Sequence, residues 1–131
     1  VEVEMMTLTA TQQEMFAQAD DFHIAPYRAD GKTPGTLTWI WSVVVDGELY
    51  VRAWNGQRSR WYNAAKDQGA GKIMIAGDEY TVAFELVPVA DHEALQDQID
   101  DAYRTKYAGS QYMPPMIADG PRNATVRVIL K

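Results

Sequence analysis

Cysteine is absent from the 131 residues, which excludes disulfides, thiol nucleophiles, redox dithiols and zinc ribbons and fits a reducing compartment. Histidine is scarce: His23 and His92 are the only two. They lie far apart and in no ligand spacing, so no metal site is expected and both read as structural. Basic residues are outnumbered, 12 against 18 acidic, for a net charge of −6. That sign opposes general nucleic-acid binding, which needs a basic face to displace counterions. Long apolar runs are missing too. Residues 39–45 form the longest, it is interrupted by Ser42, and it falls far short of the roughly 20 residues that span a bilayer. No basic-then-apolar secretory pattern opens the chain. These absences together predict a cytoplasmic protein with neither nucleic acid nor membrane as partner. Ser42, Ser59 and Ser110 stand in no Gly-x-Ser-x-Gly elbow, and no base can be placed beside them. Catalytic residues are therefore not identifiable.

The length suits a single domain with its own core. Residues 11–131 are expected to form it, with 1–10 an N-terminal extension or residues added in cloning. Thr11-Gln-Gln-Glu14 has the spacing of a capping box, ahead of a short helix carrying Met15, Phe16 and Ala19 on one face. Residues 22–27 read as a strand turned by Asp30-Gly31. The strongest signal is 36–54, where two β-branched and aromatic runs flank Asp46-Gly47, a favoured two-residue hairpin turn. That turn pairs Val45 with Glu48, Val43 with Tyr50, Trp41 with Arg52 and Trp39 with Trp54. The opposite face carries Val44, Leu49, Ser42, Val51, Ile40, Ala53, Thr38 and Asn55. The smaller side chains are assigned to the inside of a narrow barrel. The face with tryptophans and Arg52 must then meet a helix, a partner or a ligand.

Beyond it, a helix is predicted over 59–67 with Ser59 as N-cap and Trp61, Ala64 and Ala65 as its apolar stripe, ended by Gly69 and Gly71. Residues 72–76 and 80–89 read as a hairpin around Gly77-Asp78, with Val82, Phe84 and Leu86 on one side. Asp91 is placed to cap a helix reaching Tyr107 whose inner face holds Leu95, Ile99, Ala102, Tyr103 and Tyr107. Asp97, Asp100 and Asp101 read as solvated. A loop with Met113-Pro-Pro-Met116 leads to a last strand over 124–130. Tyr103, Tyr107, Tyr112, Met113 and Met116 read as the packed face of the long helix and its covering loop, or as the wall of a substrate pocket.

The candidate site is residues 52–60. Arg52, Arg58 and Arg60 surround a glycine turn that opens the helix at Ser59. Free N–H groups at a helix start and neighbouring guanidinium groups suit a phosphate. Trp39, Trp41 and Trp54 would lie alongside and flank a flat ring. The alternative is a surface turn with solvated arginines and tryptophans packed in a dimer interface.

Ala25-Pro-Tyr-Arg-Ala-Asp-Gly31, Thr38-Trp39-Ile-Trp41 and Val45-Asp-Gly-Glu-Leu-Tyr50 resemble the opening of FMN-binding split-barrel proteins, the pyridoxamine-phosphate-oxidase-like group. Asn55-Gly56 with Trp61-Tyr62-Asn63 is similar to the cofactor loop and helix of deazaflavin-dependent nitroreductases. From Phe22 onward the chain resembles, within that clan, the bacterial domain of unknown function 2255, through Tyr50-Val-Arg-Ala-Trp-Asn-Gly56, Ser59-Arg-Trp-Tyr62 and Asp100-Asp-Ala-Tyr-Arg-Thr-Lys-Tyr107. The resemblance implies a mainly-β fold with flanking helices, a six-stranded split barrel that forms a homodimer. It implies FMN or a deazaflavin in a cleft, with Arg52, Asn55, Arg58 and Ser59 at the phosphate and Thr38, Trp39 and Trp41 at the ring. Two functions follow: a flavin- or deazaflavin-dependent oxidoreductase acting on a small molecule, or a non-catalytic dimeric small-ligand or interaction module that has lost the cofactor.

Overall fold

The computed structural model describes residues 8–131; expectations for 1–7 lie outside them. Helix α1 (Ala10–Gln18) is followed by strands β1 (His23–Pro26), β2 (Thr38–Trp39), β3 (Ser42–Val45) and β4 (Glu48–Arg52). A 3-10 turn (Gly56–Arg58) leads into α2 (Arg60–Gln68), then β5 (Ala70–Ile75), β6 (Asp78–Leu86) and the long helix α3 (Glu93–Lys106). Single turns α4 (Met113–Met116) and α5 (Asp119–Arg122) connect it to β7 (Thr125–Leu130).

All strands join one antiparallel sheet in the order β2-β1-β5-β6-β7-β4-β3. The two edge strands are consecutive in the chain and separated by Ile40 and Trp41 alone. Three virtual Cα–Cα bonds from Trp39 to Ser42 span at most about 11 Å. The sheet therefore curls until its ends nearly meet, forming a half-barrel. It has seven strands, not the expected six, because Thr38 and Trp39 leave the hairpin and pair with Ile24 and His23. The hairpin register holds from Val45↔Glu48 to Ser42↔Val51 and stops there. The expected pairs Trp41–Arg52 and Trp39–Trp54 do not form, because bridging the sheet's two ends draws that stretch away from β4.

Alternation along the strands divides the core in two. Leu49, Val51, Val126, Val128, Ile73, Val82 and Phe84 fill the inside of the curl with Phe16, Phe22 and Trp61. Val43, Val45 and Tyr50 point outward and are covered by Ile99 and Tyr103 of α3 and by Met116. The outward hairpin face thus meets a helix.

Several local expectations shift by one or two residues. The capping box lies at Thr9 and Gln12, not at Thr11 and Glu14, with both reciprocal bonds at 3.0 Å. Both frames satisfy the motif, but burying Leu8 and Phe16 together selects the earlier one. Asp91 adopts φ 67° and does not cap α3; His92 occupies that position. Ser59 stands at the N-cap of α2, yet its side chain makes no capping bond. Met113-Pro-Pro-Met116 is a helical turn, with proline at early positions where no N–H is needed.

The β5–β6 turn is Ala76-Gly77, one residue earlier than expected, with φ of 52° and 82°. Asp21 fixes it: its carboxylate accepts from the N–H groups of Ala76 and Gly77 at 2.8 and 2.9 Å. Those bonds lower the Asp21 pKa. Alanine in the left-handed region costs of order 1 kcal/mol, and Asn-Gly is the preferred pair for such a turn. Ala76→Asn should raise stability by about 0.5–1 kcal/mol, visible as a higher thermal midpoint, with no change in the sheet's circular dichroism.

Candidate functional site

The gap between the sheet's two ends opens into an aromatic cleft of about 340 Å³. Trp39, Ile40, Trp41, Arg52, Trp54, Tyr112 and Met116 line it. Each ring is held differently. Trp39 donates its indole Nε1–H to the Asp20 carbonyl at 2.8 Å. Trp41 stacks flat on Tyr107, centroids 3.9 Å apart and planes 3° from parallel. The Tyr107 hydroxyl in turn donates to the Ser42 carbonyl and accepts from the Ser42 N–H, both at 3.1 Å. Burial pushes that hydroxyl's pKa up to about 12. Trp54, just beyond β4, meets Tyr112 edge to face at 5.8 Å. Trp39, Trp54 and Tyr112 remain 55%, 47% and 54% exposed. Large apolar rings left open to water on one patch mark a recognition surface more often than a random one.

Beneath the rings lies a fully buried arginine. A guanidinium has five N–H donors, and Arg52 makes five bonds. Nε donates to Thr125 Oγ1 (3.2 Å), Nη1 to Asp100 Oδ1 (2.6 Å) and the Met116 carbonyl (3.2 Å), and Nη2 to the Gln96 carbonyl (3.1 Å) and Gln96 Oε1 (2.8 Å). Its Cζ also sits 5.4 Å from the Tyr103 ring centroid. Burial lowers the Arg52 pKa, with the Tyr103 and Asp100 contacts pulling it back. Asp100 is forked: its second oxygen accepts from Arg122, which also reaches Asp97 at 3.3 Å. Charges in this cluster are thus compensated.

The expected site residues divide accordingly. Trp39, Trp41 and Arg52 come together, with Thr38 exposed beside Trp39 on β2. Arg52, expected at a phosphate, has all five donors committed within the protein. Asn55 and Arg58 are exposed and Ser59 is buried at the start of α2; none of the three lines the cleft. Their turn is tied instead to the end of α5, through Gln57 Nε2 donating to the Asn123 carbonyl at 2.8 Å. Among the described residues, Arg58 and Arg60 form no ion pair.

Asp100, Gln96 and Thr125 were not anticipated at the site. Asp100 is buried, not solvated as expected. The signal was present: Gln96, Ile99, Asp100 and Tyr103 stand at i, i+3, i+4 and i+7, one helical face. Of the two readings of the second aromatic cluster, Tyr103 and Met116 follow the packed one, whereas Tyr112 is exposed and walls the cleft. The histidines are peripheral. His23 Nδ1 lies 2.9 Å from the Asp21 carbonyl, and His92 is exposed. No helix among the described residues is long and apolar enough to cross a membrane.

A family model described as an uncharacterized protein conserved in bacteria, DUF2255, matches residues 12–128. No curated protein matches the chain. Among solved structures, the conserved hypothetical protein Rv2991 from Mycobacterium tuberculosis is similar at 20% identity and a TM-score of 0.64. The match covers 99% of this chain and 83% of the other. At that identity the likeness establishes a shared fold.

Proposed function

Since the chain belongs to the DUF2255 family of uncharacterized proteins conserved in bacteria, its activity has to be read from the cleft, and we propose that it binds a flat, ring-bearing small molecule among Trp39, Trp41 and Trp54. The supporting observation is the cleft itself, where three indoles and Tyr112 surround an open, mostly apolar space of about 340 Å³. The tryptophans wall this space and leave it open. Ligand sites of this kind are concave and apolar, with few polar groups.

A flavin or deazaflavin is one ligand with such a ring. Its ring end suits Trp39 and Trp41, with Thr38 at the rim. Its phosphate end does not suit Arg52, whose donors are spent. Any tail would have to turn past Trp54 toward Asn55, Arg58 and Ser59. With such a cofactor the protein would be an oxidoreductase in which the cofactor carries the hydride chemistry. Without it, the same cleft makes a small-ligand module. A homodimer, implied by the resemblance to split-barrel proteins, completes the proposal, with the exposed aromatic rim as the face nearest a second copy.

Tryptophan fluorescence titrated with riboflavin, FMN and a 5-deazaflavin tests the reading. Saturable quenching is expected from at least one, and Trp54→Ala should weaken it about tenfold or more, since one ring-on-ring stack is worth about 1–3 kcal/mol. Absence of saturation with all three would overturn the flavin-dependent oxidoreductase and leave the small-ligand module.

A further inference from the structure

We propose that Arg52 is a positioning residue of the aromatic cleft: it holds the outer wall, Tyr112 to Met116, against the barrel, and Asp100 keeps it in that role. This rests on the cleft being the binding site and assigns one of its walls a mechanical support.

The wall is lightly attached. Hydrogen bonds within residues 108–117 are local: Ser110 N–H to the Tyr107 carbonyl, Met113 N–H to the Ser110 carbonyl, Tyr112 N–H to Ser110 Oγ, and Ile117 N–H to the Pro114 carbonyl. Among the described residues, the one side-chain hydrogen bond from this stretch to the rest of the fold is the Met116 carbonyl accepting from Arg52 Nη1. Met116 is also the stretch's buried side chain, packed with Tyr50, Ile99 and Tyr103. It is the anchor, and Tyr112, four residues earlier, projects from it to meet Trp54. At the other end Gly109 has φ 86° and open space around it.

Arg52 can serve as a fixed post because it is immobilised from other elements. Asp100 and Gln96 on α3 and Thr125 on β7 take its remaining four donors. One guanidinium therefore links β4, α3, β7 and the wall. A side chain with every donor committed sets geometry instead of meeting a ligand's charge.

Amide hydrogen exchange of the ligand-free protein reads this directly. In Asp100→Asn, and in Arg52→Lys, which keeps the charge but loses the planar fork, exchange over 109–117 should quicken at least tenfold while β5 and β6 keep their protection. Riboflavin and FMN should then weaken by the same factor, leaving their affinity ratio unchanged. Unaltered exchange over 109–117 in these folded variants would overturn the proposal. So would a loss confined to FMN, the signature of a phosphate contact. Should either variant fail to fold, Thr125→Val, which deletes the Nε acceptor at nearly constant shape, carries the same expectation. If wild type binds no flavin, the flavin reading fails, whereas exchange still decides what Arg52 holds.

Discussion

Asp100→Ala is expected to cost about 3–5 kcal/mol of folding stability, because it leaves a buried guanidinium without its counter-charge. Arg52 is 0% exposed and Asp100 only 6%, so water cannot replace the missing carboxylate. Gln96, Thr125 and the Met116 carbonyl would still accept hydrogen bonds, but these dipoles do not cancel a full charge. Arg122 would lose its partner as well, at smaller cost since it keeps Asp97 near the surface. Set against the 5–15 kcal/mol that holds a typical domain together, the change takes away a large share. Urea denaturation should show a lower midpoint at unchanged slope. A loss below about 1 kcal/mol would mean that Arg52 reaches solvent and the cluster is not a closed unit.

Gly71→Ala should be nearly as damaging, at about 3 kcal/mol, for a steric reason. Gly71 faces Pro26 across the β1–β5 pair. A Cβ there would lie 2.6 Å from both the Ala25 carbonyl oxygen and Pro26 Cα, and 3.1 Å from the Phe84 ring. The first two are backbone atoms, so β1 itself must move, and overpacking of this kind costs about 1–3 kcal/mol or more. Because β1 also carries β2, the displacement should reach Trp39 and the cleft. Thermal unfolding measures the loss, and near-ultraviolet circular dichroism should report the disturbed tryptophans. Wild-type stability in this variant would mean that the two strands lie further apart.

Where neighbouring residues decide the conformation, the sequence was legible. Asp46-Gly47, with φ of 49° and 79°, set the hairpin register as far as Ser42↔Val51. The α3 stripe of Ile99 and Tyr103 and the β6 stripe of Val82 and Phe84 were read from period alone. Asp100 was misread because a carboxylate's burial depends on a partner, and Arg52 lies 48 residues away. Trp39 was misassigned because hairpin propensity cannot weigh the alternative of pairing with His23.

By itself, then, the sequence determined the local events: turns with left-handed residues, strand and helix periods, the small inward face of the hairpin, the exclusion of thiol chemistry. Only the tertiary structure decided that the sheet's two ends meet at Ile40-Trp41, that three tryptophans border the gap, and that Arg52 is buried under α3 against Asp100. The physical reason is range. Backbone conformation is set over a few residues, whereas the cost of burying a charge is decided by whichever distant groups the fold brings within hydrogen-bonding distance.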